Sequence, residues 1–139
     1  MRRTITAFAV AMLVLALGAT AAFADGSQTT NPTSKQKAGI LKAWAGGKAV
    51  PTAKHKCFTV KLSKTNPVWA GLSFNTKATG CGAMAFDGDA ILWGSGSSWN
   101  LFMEGSSVDT TTCTAMQSAI GESSWVDLVD FSMGCQNVD

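Results

Sequence analysis

Asp87-Gly88-Asp89 sets two carboxylates around a glycine, and Glu104 follows one strand later. A pair of carboxyl groups, one as acid and one as base or nucleophile, is the equipment of glycoside cleavage. A small secreted hydrolase using Asp87, Asp89 or Glu104 is therefore one reading. The plainer one is a turn or bulge with solvated aspartates, because Asp and Gly are turn formers. The segment lacks the further oxygen ligands and distant glutamate of a calcium loop. His55 is the single histidine and stands between Lys54 and Lys56, the setting of an ordinary surface residue. No nucleophile elbow, zinc-protease helix or phosphate-cradling loop occurs. Catalytic residues, metal and cofactor are accordingly expected to be none.

Five tryptophans and no tyrosine make a better case for recognition than for catalysis. Aromatic rings fill pockets and stack on flat ligands. Trp44, Trp99 and Trp125 sit at apolar-periodic positions and are expected in the core. Trp69 and Trp93 lie beside turns, so a binding surface is expected at Trp69, Trp93 and the Gly94–Ser97 tip, with Gly96 at its apex.

Cys57, Cys81, Cys113 and Cys135 are the only cysteines. No pair has C-x-x-C spacing, and one histidine cannot complete a zinc set. Four cysteines allow three pairings. Cys57–Cys81 with Cys113–Cys135 is favoured, since each closes a loop around neighbouring elements, worth about 3 kcal/mol in the chain-entropy account.

Several elements must position these groups. Residues 25–33 are small and polar and read as a flexible leader. Ser34 is placed as the N-cap of a helix over Lys35–Ala45, carrying Ala38, Leu41 and Ala45 at helical spacing and stopped by Gly46-Gly47. Its lysines read as the solvated side. From Cys57 the period becomes two: Phe58, Val60 and Leu62 form one strand, and Trp69–Asn75 returns after the Asn66-Pro67 turn. Ala83–Trp93, broken near Asp87-Gly88-Asp89, and Ser98–Glu104 complete four strands, with Trp99, Leu101 and Met103 on one face and Phe102 on the other. Apolar residues on both sides predict cover on each face or a wide exposed patch. Thr114–Ile120 reads as a short helix; Trp125–Phe131 fits a helix or a last strand equally. The expected fold is α+β: an N-terminal helix on a four-stranded antiparallel meander, a short helical C-terminal region and two disulfides.

Arg2-Arg3, the apolar run Ala7–Leu17 and Ala22-Phe23-Ala24 follow the order of a secretory signal peptide. Cleavage after Ala24 removes 24 of the 139 residues and leaves one domain, 34–139, behind the leader. Export delivers it to an oxidising compartment where thiols pair. Every arginine is lost with that segment, which disfavours nucleic acid as a partner. All nine lysines lie between Lys35 and Lys77, while eight of nine acidic residues lie from Asp87 onward. The plain expectation is that folding interleaves them; the sharper one is a polarised domain.

Ala38-Gly39-Ile40-Leu41-Lys42-Ala43-Trp44, the strand from Cys57, Trp69-Ala70, Ala85-Phe86-Asp87-Gly88 to Leu92, and Ser98-Trp99 through Gly105-Ser106 occur in an order that resembles small secreted actinobacterial proteins of unassigned function. The resemblance implies export and disulfide cross-linking, and no particular activity. The expected function is a secreted, monomeric, non-enzymatic binding or accessory module for an extracellular protein or glycan, free of the membrane. An inhibitor of an extracellular hydrolase, presenting loop 94–97 or 105–112, is the first alternative and the carboxylate hydrolase the second.

Overall fold

Alternation along each strand gives the sheet two apolar faces, and each face carries its own helical layer. A computed structural model describes residues 28–82 and 88–135; the expected export segment 1–24, Asp87 and the first part of the third expected strand lie outside these. The described elements are β1 (Thr29–Thr30), α1 (Ser34–Trp44), a 3-10 helix (Thr52–Cys57), β2 (Phe58–Ser63), β3 (Trp69–Phe74), β4 (Asp89–Ser95), β5 (Ser98–Gly105), α2 (Thr110–Ile120) and α3 (Glu122–Leu128). The strands form one antiparallel sheet in the order β1-β2-β3-β4-β5.

The sheet has five strands rather than four. The additional strand is short and falls within the expected leader: Thr29 and Thr30 pair with Ser63 and Leu62, and the Lys64 amide donates to the Gln28 carbonyl at 3.0 Å. These bonds cover an edge of β2 whose main-chain groups would otherwise face solvent.

On one face Phe58, Val60, Leu62, Ala70, Leu72, Ala90, Leu92 and Trp99 pack with Ile40 and Leu41 of α1. On the other, Ile91 packs with Met116, Ile120, Trp125, Leu128, Phe131 and Met133 of the C-terminal layer. The two disulfides, Cys57–Cys81 and Cys113–Cys135, are the favoured pairing, with Cα separations of 5.4 and 5.6 Å. Each lies in a different core, so each layer has its own covalent link.

Local chemistry moves several boundaries. Thr33, not Ser34, caps α1: its hydroxyl accepts from the Gln36 amide, and the Gln36 side chain accepts from the Thr33 amide at 2.8 Å. Ser34 would have Lys37 at the reciprocal position, which cannot accept. The helix ends in a Schellman motif, with Gly47 donating to the Lys42 carbonyl and Gly46 to that of Ala43, both glycines at positive φ. The Asp109 carboxylate accepts from the Thr112 amide at 2.8 Å and starts α2 at Thr110, four residues before Thr114.

The segment after Ser124 is helical. Trp125 and Leu128 are buried while Val126 is 58% exposed, the reverse of what alternation in a strand would demand. In β5 the register shifts opposite Ile91/Leu92. Trp99 and Leu101 therefore share the α1 face with Gly94 and Leu92, whereas Met103 joins Phe102 on the C-terminal face. One extra residue reverses the alternation beyond it.

Buried polar groups anchor α3. The Asp127 carboxylate accepts from the Ser63 hydroxyl (2.7 Å) and the Thr65 amide (2.8 Å), and the Ser63 oxygen accepts from the Asn66 amide. The β2–β3 turn is thereby fastened to the C-terminal layer. Phe131 lies over Gly71 of β3, where any Cβ would collide with its ring.

Candidate functional site

Along α1, Lys35, Ala38, Gly39 and Lys42 stand at i, i+3, i+4 and i+7 and so share one face. Two small residues between two lysines leave a depression with a cation at each end. The β4–β5 hairpin tip closes one side of it. A Cβ on Gly39 would lie 2.6 Å from the Ser97 carbonyl oxygen, so only glycine admits the tip this close. The 3-10 helix and the segment before it close the other side with Ala49, Val50, Thr52 and His55.

The result is a cleft of about 350 Å³ among Lys35, Ala38, Gly39, Lys42, His55 and Ser97, at the lower end of the range for small-molecule sites. A second depression of about 320 Å³ continues past Lys42 toward Ala43, Gly47, Ser98, Trp99 and Asn100. Gly39, Lys42 and Ser97 border both. His55 is held by a 3.0 Å contact between Nε2 and the Val50 carbonyl. A carbonyl only accepts, so Nε2 carries the proton and Nδ1 is the ring's remaining polar atom.

Neighbouring lysines have structural duties. Lys37 donates to the Phe58 carbonyl at 2.9 Å, and burial holds its pKa below the ordinary lysine value. Lys54 donates to the Gly80 carbonyl and Lys61 to Asn31. Lys35 and Lys42 make no such bond to any described residue.

The sheet also separates charge. Lys35, Lys37, Lys42, Lys48, Lys54 and Lys56 belong to α1, the 3-10 helix and their link, while Asp109, Glu122, Asp127 and Asp130 belong to the layer across the sheet. The separation is partial: Glu104 is the partner of Ala90 on the α1 side, and Lys61 is the partner of Gly71 on the C-terminal side.

The sequence-predicted binding residues divide between these faces. Trp69 and Trp93 are direct cross-strand partners. They lie on the C-terminal side, where Trp69 meets Phe102 edge-on at 5.3 Å and Trp93 is 48% exposed. Gly96 belongs with the α1 cleft: it forms the hairpin turn at φ 56°, and its carbonyl accepts from the Trp99 indole at 3.1 Å. A single surface of Trp69, Trp93 and Gly96 is therefore divided between two sides of the sheet.

Of the three candidate carboxylates Asp87 lies outside the described residues, and the other two are divided. Glu104 is the partner of Ala90, whose side chain packs in the α1-side core, so Asp89 next to it points the other way. Asp130 is the carboxylate that Asp89 senses: burial first, and then that neighbouring charge, raise the Asp89 pKa above its ordinary value. Neither aspartate borders the α1 cleft. Among the described residues no three His, Cys, Asp or Glu side chains gather as a metal site, and no helix is long and apolar enough to cross a membrane.

Lys35, Lys42 and His55 were not expected as site residues. The signal for the two lysines was in the sequence, in the Lys-x-x-Ala-Gly-x-x-Lys spacing. His55, however, reaches the cleft through a tertiary approach of the 3-10 helix. No protein-family model matches the chain, and neither a curated protein nor a solved structure is similar to it at a significant level.

Proposed function

We propose that this chain is an exported, non-enzymatic binding module that takes an anionic ligand in the cleft beside α1. The carrying observation is the convergence of Lys35, Lys42 and His55 on a depression of about 350 Å³ bordered by Ser97. Two ammonium groups offer charge-assisted hydrogen bonds from opposite ends of the cleft. The lysine-rich layer around them adds a long-range attraction for negative charge. Two buried disulfides support a rigid module suited to an oxidising compartment.

The inhibitor alternative lacks an anchor. The tip 95–97 is serine and glycine resting against α1, and Val108 of the 105–112 loop packs on the C-terminal core. For the hydrolase alternative, Asp89 and Glu104 point to opposite faces of the sheet, and Asp87 lies outside the described residues.

Calorimetric titration of the mature domain with sulfate and citrate at low ionic strength tests the proposal. Binding that weakens with added salt and is lost in Lys35→Ala/Lys42→Ala is expected. Absence of binding to either anion, or binding unchanged in that variant, overturns it. The Trp93–Trp69–Phe102 row supports a second reading, an aromatic surface for a glycan or protein partner. Trp93→Ala would abolish that binding and leave anion binding intact.

A further inference from the structure

Resting on the anion-binding reading, we infer that His55 is the anion's third ligand and joins as an imidazolium, so the cleft takes up a proton together with the anion. The ligand class is an oxyanion whose oxygens only accept hydrogen bonds, such as sulfate or a carboxylate.

The surroundings of the ring carry positive charge from every side that carries any. Lys35 and Lys42 face the cleft from α1, and the hairpin tip contributes uncharged Ser97. Exposed Lys48 stands in the link after α1, and exposed Lys54 and Lys56 flank the ring on its own 3-10 helix. Lys54 is turned to the Gly80 carbonyl. Among the described residues no carboxylate borders either depression. A bound oxyanion therefore supplies the one negative charge beside the imidazole, and it favours the charged form of the ring.

The ring is held so that one atom alone changes character. Nε2–H donates to the Val50 carbonyl at 3.0 Å, a bond that the neutral ring and the cation can both make. Nδ1 is an acceptor in the neutral ring and a donor in the cation. A neutral Nδ1 has nothing to accept from sulfate. One proton from solvent on Nδ1 turns that mismatch into a charge-assisted hydrogen bond, while Val50 keeps the ring in place. Imidazole exchanges a proton between about pH 5 and 8, and His55 is the single histidine of the chain. By linkage, one proton taken up per anion makes affinity fall by up to about tenfold for each unit that pH rises. The cleft thus holds anions in acid surroundings and releases them in alkaline ones.

The experiment titrates the tag-free mature domain with sulfate between pH 6 and 8.5 at one ionic strength. Two cationic buffers of different ionisation heat, with chloride as the shared counter-ion, report the protons taken up. Sulfate brings no proton of its own in this range, so any proton taken up goes to the protein. Expected are an uptake approaching one proton per sulfate, an affinity that falls as pH rises, and loss of both in His55→Gln. Circular dichroism confirms the fold of that variant. Independently of any variant, the ring signal of the single histidine should titrate at higher pH with sulfate than without. Sulfate binding with equal heats in both buffers and no pH dependence overturns the inference and leaves the anion site standing. Uptake that persists in His55→Gln, or a ring signal indifferent to sulfate, also overturns it. Absence of sulfate binding at every pH removes both the inference and the anion site.

Discussion

Replacing Gly39 by alanine sets two effects of opposite sign against each other. In a helix interior alanine is favoured over glycine by about 1 kcal/mol, and Gly39 lies within α1. In the folded protein the new Cβ would stand 2.6 Å from the Ser97 carbonyl oxygen, about 0.8 Å inside ordinary contact. The obstacle is main chain, so no rotamer change relieves it. Overpacking of this kind costs about 1–3 kcal/mol. Subtracting the helix preference leaves a net loss of about 1 kcal/mol, or about 4 °C in Tm for a domain of this size. Thermal unfolding of Gly39→Ala is best run beside Ala38→Gly, an exposed neighbour where propensity alone predicts a loss of about 1 kcal/mol. Displacing the hairpin tip should also weaken sulfate binding in the adjacent cleft. If Gly39→Ala raises Tm by the full helix preference, the tip does not rest on α1, and the cleft loses the wall that defines it.

Asp127 should govern acid stability. Burial pushes its pKa up, but the hydrogen bonds from Thr65, Ser63 and Lys64 outweigh this and leave it below the ordinary value. A folded pKa below the unfolded one contributes stability that is complete above about pH 4 and lost as pH falls through the folded value. Urea midpoints from pH 7 to 2 should show that loss, and Asp127→Ala should remove it while costing about 2–4 kcal/mol at pH 7 by orphaning its buried donors. A variant with an unchanged acid profile would contradict this. Asp89 has the opposite sign: its raised pKa makes ionisation a penalty on the fold above that pKa. Asp89→Asn should therefore raise Tm at pH 7 and leave it nearly unchanged at pH 3; destabilisation at pH 7 would count against the reasoning. Replacing either cysteine pair by serine should cost about 3 kcal/mol, and unreduced protein should take up no alkyl groups by intact mass. Any uptake would mean an open bridge.

Much of the scaffold was legible because its causes are local. Two-residue alternation marked β2 and β3, the Gly46-Gly47 pair marked the end of α1, and Asn66-Pro67 marked a turn. The disulfide pairing followed from loop lengths, because each bridge joins segments close in sequence. Reading failed where one residue's chemistry or a distant neighbour decided. Gln36 selected Thr33 as the cap, the register shift turned Met103 over, and β1 exists only because β2 offers it an edge.

The candidate site shows the same division. Composition by itself determined that the arginines cluster before residue 24, that the lysines precede the acids, and that Lys35, Ala38, Gly39 and Lys42 share a helix face. Those properties depend only on order along the chain and on helical geometry. Tertiary structure alone decided that the two layers fall on opposite faces of the sheet, that the hairpin tip touches Gly39, and that His55 lines the cleft beside the two lysines. It also decided that Trp93 and Gly96, three positions apart, serve different faces. Strand pairing and packing bring distant residues together or part near ones, and neither operation leaves a mark in local sequence.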